Sequence, residues 1–177
     1  MNVYPTFERR DVEMLAGDFA AAEEWLGVAE GNLGPLQEWW GLGFAVRASI
    51  ADVLCAQERY DEAERLTEVI PAGVSDGVKA HVLWRSARAK ALMRLGQADE
   101  AVALAGEAVR LAERTDGFNL RAGALLDQAD VLRICDRDDE AAQDIEEALK
   151  LYERKGNIVM AERARRLEET LDRAGMP

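Results

Sequence analysis

The chain has little material for metal or triad chemistry. It holds one histidine, His81, and two cysteines, Cys55 and Cys135, in 177 residues. A single imidazole supplies neither a metal cluster nor a serine–histidine–aspartate arrangement by itself. The cysteines lie far apart and form no CxxC pair. They read as small helix residues kept reduced in the cytosol. Only 4 prolines interrupt the chain. No apolar run approaches the ~18 residues that would suggest a membrane span. No GxxxxGKS/T phosphate loop occurs, and Gly41-Leu42-Gly43 is a bare GxG without a strand before it. The stretch Met1–Arg10 lacks the basic-then-apolar layout of a signal peptide, so the cytoplasm is the expected location. Positive charge is scarce as well: 22 Lys and Arg stand against 34 Asp and Glu, for a net charge of -12. Such a surface repels a phosphate backbone and excludes nucleic acid as the expected ligand.

What the chain has instead is helix-forming material. It is 49% hydrophobic and 32% charged, enough for a core and for a soluble surface. Ala, Leu, Glu and Arg are strong helix formers, and alternating strand patterns are few. One phrase also repeats. GDFAAAEEWL, ERYDEAERLT, GQADEAVALA and DRDDEAAQDI align on Ala22, Ala63, Ala101 and Ala141, spaced 41, 38 and 40 residues apart. Twelve residues before these alanines stand Arg10, Ala51, Ala89 and Ala129; nine before stand Glu13, Leu54, Leu92 and Leu132. Small residues at fixed offsets mark close helix contacts, and the leucines fill the space one turn away. Each helix pair can bury its apolar stripe only against a neighbour. Asp61, Glu62, Asp99, Glu100, Asp139 and Glu140 fall in first turns, where acidic groups favour the helix dipole.

These phrases resemble the tetratricopeptide repeat over nearly the whole chain. Gly17 and Gly96 match its turn glycine, and Phe19 and Tyr60 its following aromatic. The period is nearer 40 than the usual ~34. Glu58 and Asp136 replace the turn glycine, Ala98 and Asp138 the aromatic, and Arg10 and Glu13 the core residues of the first unit. That unit therefore reads as degenerate. The implied fold is all-α: a right-handed α-solenoid of about four helix pairs plus a capping helix, forming one repeat domain over 1–177. The units are expected near 6–30, 36–70, 76–114 and 119–155, and the capping helix near 158–174. Gly31, Asn32, Gly34 and Pro35 break the first unit from the second, whose first helix is expected near 36–57 and whose second ends at Pro71. Ser75 or Asp76, and Asn119, are candidate N-caps, and Gly156 a C-terminal stop. A narrower likeness runs from His81 to Arg133 and on through Ala148–Leu167. It is similar to the C-terminal repeat region of multidomain bacterial signalling ATPases of the nucleotide-cyclase or helix-turn-helix regulator type.

Chemistry is sought and not found. Asp136, Asp138 and Glu140 offer oxygens at three places of a calcium loop, with Glu147 at its twelfth. The sixth place, which needs glycine for its turn, is Ala141. The segment reads as a solvated turn, and no metal, cofactor or catalytic residue is expected. What remains is a surface. Carrying over the family's groove positions gives Asp52 in unit two; Leu83, Ser86, Lys90, Met93 and Arg94 in unit three; and Leu126, Asp130, Arg133 and Ile134 in unit four. An apolar floor with charges of both signs suits a peptide or helix. The expected function is a non-catalytic protein-interaction or regulatory scaffold, binding an acidic, partly apolar protein segment or other domains of a larger parent. The alternative is a small-molecule-sensing repeat domain of a bacterial regulator, with Trp39, Trp40 and Trp84 stacking on the ligand.

Overall fold

The computed structural model describes residues 4–33, 42–68 and 77–174. Among them nine helices follow one another, and no strand occurs. They are α1 (Tyr4–Ala16), α2 (Phe19–Gly31), α3 (Leu42–Ala56), α4 (Tyr60–Thr67), α5 (Val78–Arg94), α6 (Ala98–Ala112), α7 (Phe118–Ile134), α8 (Asp138–Lys155) and α9 (Ile158–Ala174). Consecutive helices pair as α1–α2, α3–α4, α5–α6 and α7–α8, and α9 packs on α8. The pairs stack through their first helices, α3 on α5 and α5 on α7. The result is the all-α helical-repeat stack that the phrase spacing implies. None of the described helices is long and apolar enough to cross a membrane.

The repeated alanines are the contact points. Ala22, Ala63, Ala101 and Ala141 are all 0% exposed, and Ala51, Ala89 and Ala129 are no more than 1% exposed. A methyl group there lets two backbones approach, and a larger side chain would force them apart. Leu54, Leu92 and Leu132 lie in the clusters between units.

The turns before the second helices need a left-handed residue. Gly17 and Gly96 take it at φ 77° and 82°, and Glu58 and Asp136 take it at φ 61° and 56° without glycine's freedom. Beyond two of those turns an arginine at the N-cap grips the helix it precedes. Arg59 meets both carboxylate oxygens of Glu62 at 2.8 Å, and Arg137 those of Glu140 at 2.6 Å. Gly156 ends α8 at φ 76°, with the Asn157 amide donating to the Tyr152 carbonyl at 2.9 Å.

Some local expectations need correction. Asn119 does not cap α7: Gly117 holds that place, and Asn119 lies inside the helix, accepting from Asn157 Nδ2 at 3.3 Å. Ser75, Asp76 and the expected helical stretch 36–41 lie outside the described residues, and Gly77 stands at the N-cap of α5. Trp84 is no stacking platform. It is 7% exposed, and its indole Nε1 donates to the Thr67 carbonyl at 2.9 Å, tying α5 to the end of α4. Trp39 and Trp40 lie outside the described residues.

Candidate binding cleft

The first helices line one concave face. Residues from α1, α3, α5, α7 and α9, with Tyr60 of α4 and Asp138, Tyr152 and Lys155 of α8, enclose a cleft of about 1440 Å³. Helices α3, α5 and α7 form its floor, and α1 and α9 stand at its two sides. Asp52, Leu83, Lys90, Arg94, Leu126, Asp130, Arg133 and Ile134 line it. Ser86 and Met93 do not. They are 3% and 5% exposed, packed inside the stack. Each follows a cleft residue of α5 by three positions, which turns it by about 60° around the helix. Met93 therefore packs with Ala89, Leu92 and Val131 between α5 and α7, and its sulfur lies 3.8 Å from Cys135 Sγ.

Across the floor runs a ladder of charges with one rung per first helix. Arg10 Nη1 of α1 donates to Asp52 Oδ2 of α3 at 3.1 Å. Lys90 Nζ of α5 donates to Asp52 Oδ1 at 2.5 Å and to Asp127 Oδ1 of α7 at 2.6 Å. The side chains of Asp52, Lys90 and Asp127 are only 20–26% exposed. Burial opposes the Asp52 carboxylate, yet Lys90 and Arg10 beside it hold its pKa below the ordinary value. Burial raises that of Asp127, and the neighbouring Asp52 adds to the rise against the pull of Lys90. Burial also works against the Lys90 ammonium, but the two aspartates outweigh it and keep the charge on. Burial pushes the Cys55 thiol up to about 12, so it is no nucleophile at neutral pH.

The ladder changes the role read for Lys90. It is not a free groove cation, because two carboxylates already neutralise it. Sequence reasoning missed Asp127 as its second partner, and Arg10 as the cation that shares Asp52 with it. A signal was present: the residues eleven before the aligned alanines are Asp11, Asp52, Lys90 and Asp130, one base among three acids. Asp127 sits one turn before that column and escapes it.

Other cleft cations remain unspent. Arg94, Arg133, Lys155 and Arg163 line the cleft and make no ion pair among the described residues. Arg94 lies over the Tyr60 ring at 5.9 Å. A cleft with a packed polar floor, apolar walls and free guanidinium groups can hold an apolar chain and orient its carboxylates.

Fold and cleft together define a helical-repeat protein with a cleft on one face. A family model of the tetratricopeptide repeat matches residues 84–117, which span most of α5, all of α6 and the turn into α7. This supports a place in the tetratricopeptide repeat family for that helix pair. No curated protein matches the chain.

Proposed function

We propose that this chain is a non-catalytic interaction scaffold whose cleft binds an acidic, partly apolar protein segment. The family match supports the coarse part of that reading, since tetratricopeptide repeats generally mediate contacts between proteins. The observation that carries the finer part is the charge of the cleft. On a chain of net charge -12, its lining carries at least as many cations as acids: Arg94, Arg133, Lys155 and Arg163, none in an ion pair among the described residues, stand with Asp116, Asp130 and Asp138 beside Leu83, Leu126 and Ile134. The likeness to the tails of bacterial signalling ATPases supports a regulatory role within such a protein, in the cytoplasm.

The test uses three synthetic 12-residue peptides, each with leucines spaced for one helix face and with glutamate, glutamine or lysine between them. The acidic peptide is expected to bind tightest. Its affinity should fall with salt, because exposed charges are screened over about 8–10 Å at physiological ionic strength. It should protect amides of α5 and α7 from hydrogen exchange. Equal binding of all three peptides, or protection confined to the second helices, would overturn the reading.

A further inference from the structure

The two outermost first-type helices stand apart from their neighbours. The backbones of α3 and α5, and of α5 and α7, pack closely, but α1 has no comparable contact with α3, nor α9 with α7. At the first opening Arg10 crosses from α1 and meets Asp52 at 3.1 Å. At the second, α9 presents an arginine of its own, Arg163, to the cleft. Arg163 is exposed and makes no ion pair among the described residues. It lies near enough to act electrostatically on Asp52 and on the Tyr152 hydroxyl. Met160 and Leu167 of α9 line the cleft on either side of it, and Leu126 lines it from α7. Ala161, Ala164 and Leu171 meanwhile fix α9 in one core cluster with residues of both α7 and α8, against which Met160 and Leu167 also pack. The helix is thus anchored on one face and presents a cationic, partly apolar edge to the cleft.

We propose that the α9 wall is the anchoring side of the cleft, where Arg163 takes a carboxylate of the partner and the half-buried Met160 and Leu167 take the apolar side chain beside it. The inference rests on the reading of the cleft as a protein-binding surface. It makes α9 a wall of the site rather than a cap alone. Charge complementarity selects the occupant. The guanidinium has five donors and no carboxylate on it among the described residues, and its planar fork matches a carboxylate, the anion that a protein segment's own side chains supply. The partner's anchor is therefore an Asp or Glu next to a Leu-like residue.

The probe is the leucine–glutamate peptide used above, followed by fluorescence anisotropy. Arg163→Glu should weaken it about tenfold, the scale of one charge-assisted hydrogen-bonded pair. Arg163→Lys should keep most of the affinity. Arg94→Glu, at the α5 end of the cleft, should change it less than about threefold, as a peripheral charge does. Arg166→Glu, on the exposed side of α9 beside Glu162, should leave it unchanged. If the peptide binds the parent and Arg94→Glu abolishes binding while Arg163→Glu does not, the anchoring role falls and the scaffold reading stands. If a charge swap, Arg163→Asp with Asp130→Arg, restores a stability that each single change lowers, Arg163 is already paired in the free protein and the proposal is overturned. If the parent binds the acidic peptide no better than the lysine one, the wider reading falls first.

Discussion

Helices α5 and α7 and helices α1 and α9 hold corresponding sides of the stack but are attached in different ways. The inner pair is joined by surface. Ala89, Ala91 and Leu92 of α5, and Ala129 and Val131 of α7, are at most 1% exposed, and backbones touch across small residues. The outer helices have less of this. α1 presents Val12 and Leu15 to solvent at 59% and 45% exposure, and α2 behind it presents Trp25 and Val28, both at 43%. Where alanine would stand, α1 has Arg10, and it spans the distance to Asp52 that backbones span elsewhere. The comparison teaches that one repeat position can be filled by a methyl group that closes a gap or by a long cation that bridges it. The bridging kind leaves the cleft open between the helices it joins.

The largest expected effect lies at the centre of the ladder. Lys90→Met keeps most of the side-chain volume and removes the charge between Asp52 and Asp127. Two partly buried carboxylates would then face each other without a counter-ion. Breaking a buried pair in this way costs about 3 kcal/mol, read as a fall in the urea midpoint. A loss below about 1 kcal/mol would mean that solvent already screens the ladder, as it does exposed pairs, and that surface alone holds the inner helices.

Next come the alanines. Ala101→Leu and Ala141→Leu should each cost about 2 kcal/mol, because overpacking forces helices apart. Ala22→Leu should cost about half as much, although Ala22 is equally buried at 0% exposure. Its partner α1 is not locked against α3 and can shift to make room. Equal losses at all three positions would erase the distinction between inner and outer helices.

How much of this was legible follows from the same contrast. Surface attachment repeats, so it is visible in sequence. Ala63, Ala101 and Ala141 with Leu54, Leu92 and Leu132 mark every inner pair, and Gly96 and Gly156 mark its turns. Glu58 and Asp136 were legible as departures, and their positive φ shows that the turn keeps its shape without glycine. Bridging attachment does not repeat. Arg10 read as degeneracy because it breaks the alanine column, yet it is the first rung of the ladder. Asp127 stands off the acidic column, and its pairing with Lys90 depends on how far α7 is displaced along α5, a tertiary quantity. The charged residues of α9 suggest a cap, and the distance of its backbone from α7 cannot be read from periodicity. Ser86 and Met93 fail for the opposite reason: groove positions were carried over by offset, and a single step of helix rotation separates the cleft wall from the core.

The smallest effect is the most local. Arg10→Gln removes the bridge but keeps a polar side chain of similar reach. The Arg10 side chain is 12% exposed and that of Asp52 22%, so the pair is less screened than a surface one, though short of full burial. Asp52 also keeps Lys90 at 2.5 Å after the change, so no unpaired charge is left in the floor. The expected global cost is therefore below about 1 kcal/mol, near the range of exposed pairs. The expected local result is larger. With no backbone packing on α3 to match that of the inner helices, α1 depends on α2 and on this bridge. Its amides should exchange faster while those of α5 and α7 stay unchanged, the pattern of a unit that opens by itself. Raising the salt on the parent should reproduce part of this effect, because screening weakens a partly exposed pair. If α1 exchanges at the same rate with and without Arg10, the bridge is incidental. The outer helix would then be held by its own Met14 packing on Ala22 and Leu26 beneath it, and surface would be the only mode of attachment among the described helices.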